Sequence, residues 1–186
     1  MPVHLQGVRA EERINHNTLI LVSMSIIYRS NRIGKGGKPF VMFKIRTLRN
    51  DFSGSFANED GYTKFGKFLR KTKLDELPQI YNIIRGDMGF IGPRPEESKT
   101  IDLLPIEIRD VILKVKPGLV DLASLFFYDE EEILQKSPDP QFTFWTQIRP
   151  TKMTLQAFYV ENKCLSLDLW IIYATVKKIV KSLFLR

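Results

Sequence analysis

The stretch LDELPQIYNIIRG, residues 74–86, contains the clearest helix signal in the chain. Leu77, Ile80, Tyr81 and Ile84 are spaced i, i+3, i+4 and i+7, as on one face of an α-helix. Gly86 follows these positions, and glycine commonly ends a helix. The spacing therefore predicts a helix over Leu74–Ile84, with two acidic residues at its start.

Weaker signals surround this segment on both sides. Apolar and basic residues alternate over Phe40–Leu48, which predicts a strand after a glycine-rich turn at Arg32–Pro39. The segment Thr18–Tyr28 suits a strand or a helix, Arg49–Asp60 reads as a polar loop, and Gly92–Pro95 as a rigid turn or extended stretch. Further helices are predicted over Tyr62–Leu69, Ile106–Val115, Asp129–Leu134, Thr151–Glu161 and Asp168–Phe184.

Length and composition are those of one folded domain. The 186 residues are 44% hydrophobic, which is enough for a core and too much for wholesale disorder. One cysteine and two histidines exclude an intramolecular disulfide and a zinc site of clustered Cys and His. The net charge of +7 suits nucleic acid, anionic lipid or phosphorylated small molecules equally well.

Asp75 and Glu76 allow two interpretations. Acidic residues and a proline are good helix starters, so the pair is explained by local structure alone. The same position keeps a carboxylate ionised and therefore nucleophilic. One carboxylate could then attack phosphorus while the other holds a divalent cation.

Basic residues flank the pair on both sides. Arg70 precedes Asp75 by five residues, and guanidinium groups bind phosphate oxygens in a bidentate manner. Arg94 lies between Pro93 and Pro95, which restrict its backbone and suit a pre-set anion contact. The alternatives are a solvated surface charge for each cation and a purely structural turn at Gly92–Pro95.

Several segments in a fixed order resemble the bacterial sugar transferases, the monotopic polyprenyl-phosphate phosphoglycosyl transferase family. The resemblance covers the chain from about Ile27 to its C-terminus. It is carried by Arg32–Phe40, Phe43–Leu48, Phe65–Thr72, Leu74–Gln79, Gly86–Met88, Gly92–Pro95, Val115–Gly118, Asp121–Leu125 with Asp129–Glu131, and Tyr159–Asn162 with Leu165–Leu169.

This resemblance implies a reaction and roles for named residues. Asp75 would attack the β-phosphate of a UDP-sugar, UMP would leave, and polyprenyl (undecaprenyl) phosphate would then take the phosphosugar from the aspartate. Glu76 would coordinate Mg²⁺. The expected phosphate and nucleotide contacts are Arg70, Arg94 with Pro93 and Pro95, and, as further supports, Lys44 and Arg46.

The family also implies a fold and a location. We expect a helix-rich α/β (α+β) single domain over residues 27–186, with a small sheet and amphipathic helices lying on the membrane surface. Asp168–Phe184 is one such helix, with a stripe of Leu169, Ile172, Val176, Ile179 and Leu183; packing on the domain's own core is its alternative. Residues 1–26 contain no Ser-Pro kink and are expected to be an atypical or truncated replacement for a re-entrant membrane helix. The expected location is the cytoplasmic face of the bacterial inner membrane.

Two other functions compete with an active transferase. A truncated, non-catalytic remnant would bind a nucleotide-sugar or a partner without turnover. A nucleic-acid-binding protein would account for the positive charge, but the chain has no familiar nucleic-acid-binding motif and no pattern of stacking aromatics. We therefore expect no nucleic acid among the partners.

Overall fold

The computed structural model describes residues 26–49 and 61–184 of the chain. The segment 1–26, expected to replace a re-entrant helix, lies outside these residues except for its last position, so that expectation stays a prediction. The predicted loop Arg49–Asp60 also lies outside them, apart from Arg49, and so does most of Thr18–Tyr28.

A hairpin opens the described chain. Strand β1 (Ile27–Ile33) pairs antiparallel with β2 (Pro39–Ile45), and a 3-10 turn at Lys35–Gly37 joins them. Gly36 and Gly37 have φ values of 67° and 76°, a region that glycine enters without steric cost. The predicted turn is confirmed, and the predicted strand is confirmed with an earlier end.

Helices make up most of the remaining described residues, with one further sheet between them. Strand β3 (Gly89–Ile91) pairs in parallel with β4 (Gly118–Val120). Together the elements confirm the predicted helix-rich α/β class, although the small sheet is two separate two-stranded sheets. The helices are α1 Lys64–Thr72, α2 Gln79–Arg85, α3 Ser98–Ile101, α4 Ile106–Ile112, α5 Leu122–Phe126, α6 Glu130–Lys136, α7 Pro140–Thr143, α8 Arg149–Asn162 and α9 Leu165–Phe184.

The predicted helix Leu74–Ile84 is wrong in one respect, because it is two elements. Leu74–Glu76 forms a 3-10 turn, and α2 begins only at Gln79. Pro78 has no N–H to donate to the carbonyl of Leu74, so Leu77 N donates to Leu74 O instead, at 3.2 Å. The break places Asp75 and Glu76 in a tight turn rather than in a regular helix.

The apolar face predicted for this segment points away from the protein. Leu77, Ile80, Tyr81 and Ile84 are 40–79% exposed, whereas Gln79 and Asn82 are buried. Asn82 accounts for the inversion: its Nδ2 donates to Val41 O at 2.7 Å, and its Oδ1 accepts from Phe43 N at 3.2 Å. These bonds dock α2 on β2 through a polar side chain.

Helix α1 packs against the backbone that follows β2. Thr63 caps the helix by accepting from Gly66 N at 2.8 Å. At Gly66 a Cβ atom would lie 2.2 Å from Thr47 O and 2.7 Å from Thr63 Oγ1. The absence of a side chain at Gly66 therefore permits this helix contact.

Gly66→Ala is expected to lower the free energy of unfolding by about 2–3 kcal/mol, because backbone atoms must move apart to admit the methyl group. Helix propensity alone predicts the opposite sign, a gain of about 1 kcal/mol. Urea unfolding measures the difference, with Lys64→Ala on the same helix as a control. A Gly66→Ala protein at least as stable as the wild type would contradict the close approach.

The C-terminal helix was predicted with its apolar stripe facing inward or facing a membrane. Its packed position is Ile171, which is fully buried, while Leu169, Ile172, Val176 and Leu183 are exposed. Lys178 lies on the packed side, where its Nζ donates to Leu125 O at 2.9 Å. Four members of the predicted stripe thus lie on the outer face of α9, and the fifth, Ile179, is half-buried. Within the two described segments, no helix has both the length and the apolar run required to cross a bilayer.

Candidate active site

The turn after α1 brings a buried carboxylate pair to the centre of a cationic cluster. Asp75 is 5% exposed, and the Glu76 side chain is 12% exposed. Glu76 Oε1 accepts from Lys44 Nζ at 3.0 Å and from Arg94 Nη2 at 2.8 Å. The structure therefore joins four predicted site residues that are spread over 51 positions, from Lys44 to Arg94 counted inclusively.

Three different elements supply these groups. Lys44 lies on β2, which Asn82 ties to α2, and the carboxylates lie in the turn that precedes α2. Arg94 lies in the extended segment after β3, with its side chain one-third exposed. The hairpin, the 3-10 turn and the proline-flanked segment thus converge on one carboxylate oxygen.

The segment around Arg94 is held from two sides. Pro93 O accepts from Gly118 N at 2.9 Å, and Pro95 O accepts from Arg32 Nη1 at 3.4 Å. A Cβ atom on Gly118 would lie 2.1 Å from Gly92 N, so the two backbones approach more closely than any side chain would allow. Pro93 and Pro95 contribute backbone geometry here, and their carbonyl groups fasten the segment to its neighbours.

The pKa values of the two carboxylates are shifted in opposite directions. Burial alone would raise the pKa of Glu76, but the charges and hydrogen bonds of Arg94 and Lys44 hold that pKa far below its usual range. Burial and the adjacent Glu76 raise the pKa of Asp75, with Lys44, Arg70 and Lys73 acting in the opposite direction. Among the described residues, no side chain donates a hydrogen bond to Asp75. Glu76 is consequently a fixed anion, whereas Asp75 is a poorly solvated and more basic one.

Lys44 is the cation whose charge is most sensitive to this environment. Burial and the nearby Arg94 lower its pKa to about 8, against the opposing influence of Glu76. Arg94 behaves differently: the charge of Glu76 raises its pKa, so it stays protonated at any working pH.

Arg70 and Arg46 do not bind Glu76 Oε1. Arg70 Nη2 donates to Glu131 Oε1, and its guanidinium lies over the ring of Tyr62 at 4.8 Å, although its charge still acts on Asp75. Arg46 follows β2, where its backbone N–H donates to Ile26 O at 2.8 Å. The structure thus separates an inner pair of cations, Lys44 and Arg94, from Arg70 at the edge.

Three residues that were not predicted as site residues belong to the same neighbourhood. Lys73 has a left-handed backbone, φ 59°, directly before the turn, and its charge acts on Asp75. Asp121 is buried and caps α5 through Ser124 N at 2.9 Å, while its charge acts on Arg94. Glu131 binds Arg70. The acidic run at residues 129–131 was recognised as a motif, but sequence spacing alone does not reveal a partner 61 positions away.

Comparisons with known proteins extend the motif resemblance. The family described as "Bacterial sugar transferase" matches residues 16–182, which begins upstream of Ile27. All the side chains of the carboxylate and cation cluster lie within this range.

Individual relatives share the match over most of this chain. The "Uncharacterized sugar transferase EpsL" of Bacillus subtilis is 30% identical over 87% of this chain and 73% of its own length. The "UDP-N-acetylgalactosamine-undecaprenyl-phosphate N-acetylgalactosaminephosphotransferase" of Aeromonas hydrophila is 29% identical over 88% of this chain and 38% of its own length. The "UDP-glucose:undecaprenyl-phosphate glucose-1-phosphate transferase" of Klebsiella pneumoniae is 34% identical over 82% and 32%. The chain thus spans less than two fifths of the last two relatives.

Proposed function

Because the chain belongs to the bacterial sugar transferase family, we propose that it transfers a sugar-1-phosphate from a UDP-sugar to polyprenyl (undecaprenyl) phosphate. The observation that carries the proposal is the buried Asp75 carboxylate beside Glu76, whose oxygen is held by two cations. The names of the Aeromonas and Klebsiella relatives describe transfers of this class and support it.

In the proposed mechanism, Asp75 forms a bond to the β-phosphorus of the donor. The bond from that phosphorus to the bridging oxygen breaks, and UMP leaves with the electron pair. A phosphate oxygen of polyprenyl phosphate then attacks the same phosphorus and releases the Asp75 carboxylate. The poor solvation of Asp75 favours the first step, because a carboxylate with a raised pKa is the better nucleophile.

Phosphate charge would be balanced by the cations around the turn. Lys44 and Arg94 already hold Glu76 and lie where phosphate oxygens would add a second anion. Arg70 lies at the edge of the same cluster, and its guanidinium would bind one of the two phosphates of the donor. Each of these contacts gains strength as charge builds up on the leaving UMP.

The residues present fit Mg²⁺ bound together with the donor. Mg²⁺ commonly takes one or two carboxylates and completes its shell with water and substrate phosphates. Glu76, with Asp75 adjacent, supplies such oxygens, and the described residues contain no cluster of three or more Asp, Glu, His or Cys that would form an all-protein cage. When bound, the ion would neutralise the pyrophosphate and promote departure of UMP.

The outer surfaces of α2 and α9 support a location at the membrane. Ile80, Ile84 and Trp170 are large exposed apolar residues of these helices, and lysines lie beside the apolar stripe of α9. Such faces suit the interfacial layer of an anionic bilayer, where the lipid acceptor resides. We place the protein at the cytoplasmic face of the inner membrane, where UDP-sugars are available.

A turnover assay tests the proposed function directly. The full chain is mixed with Mg²⁺, UDP-sugars and undecaprenyl phosphate in vesicles, and both UMP release and sugar transfer to lipid are measured. Transfer from at least one donor is expected. UMP release without labelled lipid, or no reaction from any donor, would contradict the proposal.

Deprotonation of Lys44 is expected to set the decrease of the rate at alkaline pH. Its pKa of about 8 means that the ammonium is lost as pH rises through that value, and kcat/KM for the UDP-sugar should fall there. Lys44→Arg retains a charged side chain, so its alkaline limb should move up by at least one pH unit. An unchanged limb near pH 8 in Lys44→Arg would assign the titration to another group.

A further inference from the structure

Arg70 is fixed by two residues from outside its helix. Tyr62 precedes α1 and presents its ring to the Arg70 guanidinium, 4.8 Å from the ring centroid to Cζ. Glu131, in the first turn of α6, accepts from Arg70 Nη2 through Oε1. Tyr62 Oη donates to the same Glu131 oxygen at 3.3 Å. We call Tyr62, Arg70 and Glu131 the Arg70 clamp.

Local packing does not require this arrangement. The side chains of Arg70 and Glu131 are 38% and 49% exposed, and ion pairs so exposed contribute little to folding. The neighbouring acids have other partners, since Glu130 binds Lys152 and Glu132 binds Lys136 on its own helix. Glu131 is therefore the member of the run that reaches across to α1.

Not every donor of the Arg70 guanidinium has a partner among the residues that the structure describes. Arg70 Nε is buried and has no hydrogen-bond acceptor within the described part of the chain. The clamp lies beside the carboxylate turn, because α1 runs directly into that turn and Lys73 N donates to Arg70 O at 3.1 Å. Asp75 also acts electrostatically on both Arg70 and Tyr62. Glu131 and Tyr62 therefore do not use all the donors of the guanidinium.

We infer that Tyr62 and Glu131 are positioning residues, which hold Arg70 beside Asp75 so that its guanidinium meets a phosphate group of the donor. This inference rests on the proposed function for the identity of the phosphate. The ring of Tyr62 sets the plane of the guanidinium, and the carboxylate of Glu131 sets its rotation. Neither residue needs to touch the substrate.

The alternative role for Glu131, competition with the phosphate, predicts that anion affinity changes in the opposite direction. A carboxylate that merely occupies the phosphate position of Arg70 would compete with the donor, so its removal would tighten anion binding. Loss of a negative charge near an anion site acts in the same direction. Weaker anion binding after Glu131→Gln is therefore expected only if Glu131 positions Arg70.

Calorimetric titration with inorganic pyrophosphate, in the presence of Mg²⁺, measures this without turnover. We expect Glu131→Gln and Arg70→Lys each to raise the Kd about tenfold, and Tyr62→Phe to raise it about threefold. Glu132→Gln removes the same charge one residue away and should leave the Kd within twofold. The double variant Arg70→Lys/Glu131→Gln should bind no more weakly than Arg70→Lys, because Glu131 acts through Arg70.

Three results of the pyrophosphate titration would overturn the inference. They are wild-type protein that does not bind pyrophosphate, Glu131→Gln that binds it as tightly as or more tightly than wild type, and single effects that multiply in the double variant. Thermal unfolding of each variant checks that the fold is retained. Clamp-dependent pyrophosphate binding without turnover of any UDP-sugar would refute the proposed function and leave the clamp standing. Normal turnover with a normal KM in Glu131→Gln would refute the clamp alone.

Discussion

Asp75→Asn is expected to lower the rate of UMP release by roughly 10⁴-fold or more, because the amide cannot form the aspartyl-phosphate bond. The fold should be retained or slightly stabilised. Burial raises the pKa of Asp75 in the folded protein, so its ionised form costs stability at neutral pH, and that cost diminishes only as pH falls through the raised pKa. A neutral side chain of the same shape removes the cost.

Two measurements decide this prediction. UMP release is followed at saturating UDP-sugar, and the melting temperature is measured at pH 7. Asp110→Asn is the control, since Asp110 is exposed and pairs only weakly with Arg109, at 3.8 Å. Activity of Asp75→Asn within tenfold of wild type would exclude Asp75 as the nucleophile. A clearly lower melting temperature would show that the carboxylate supports the fold instead.

Glu76→Gln is expected to lower kcat/KM by about 10²–10³-fold, because Lys44 and Arg94 then share no anion and lose their position. The free energy of unfolding should fall by about 2–3 kcal/mol, since the variant leaves two partly buried cations uncompensated. Glu76 also raises the pKa of Lys44. The alkaline limb near pH 8 should therefore move to lower pH in Glu76→Gln.

Acid unfolding gives a separate check on Glu76. Its pKa is far lower in the folded protein, so its stabilisation is complete above the unfolded value, about 4.5, and is lost as pH falls below it. Between pH 6 and pH 3 the wild type should lose more stability than Glu76→Gln does. Glu132→Gln, whose site is a solvated pair with Lys136, serves as the control. Parallel curves of stability against pH for wild type and Glu76→Gln would show that the contact of Glu76 with Lys44 and Arg94 contributes nothing to stability.

Local sequence signals were sufficient to predict the elements that begin or end at residues with strong backbone preferences, such as glycine. Gly36 and Gly37 in the hairpin turn and Gly86 after α2 have positive φ, which agrees with the predicted turn and the predicted helix end. The helices at residues 106–112, 130–136, 149–162 and 165–184 overlap the predicted ones, with ends displaced by a few residues. In these cases one or two residues determine the local backbone.

Which face of a helix is buried could not be predicted in the same way. The spacing over residues 77–84 correctly places Leu77, Ile80 and Ile84 on one side. Which side is buried, however, depends on Asn82 binding the backbone of β2, about 40 positions earlier. The buried amide of Asn82 is satisfied by the backbone of β2, and leaving it buried without these partners would be costly. No periodicity in the sequence contains that information.

The candidate site likewise contains residues whose grouping the sequence predicts and residues whose roles it does not reveal. Motif order was sufficient to group Asp75, Glu76, Lys44 and Arg94, which the structure brings together. The roles of Tyr62 and Glu131 arise from α6 packing near α1, a contact between segments about 60 positions apart. Arg46 lies outside the pair of cations on Glu76, and its expected support of the phosphate and nucleotide contacts stays a prediction.

Intact-protein mass spectrometry tests the central claim most directly. The full chain is incubated with Mg²⁺ and a panel of UDP-sugars, without lipid acceptor, and Asp75→Asn is treated in parallel. We expect one donor to add the mass of its sugar phosphate to the wild type only, with an equal amount of UMP released. The absence of an adduct from every donor in folded protein, or the same adduct on Asp75→Asn, would contradict the assignment of Asp75 as the residue that carries the phosphosugar.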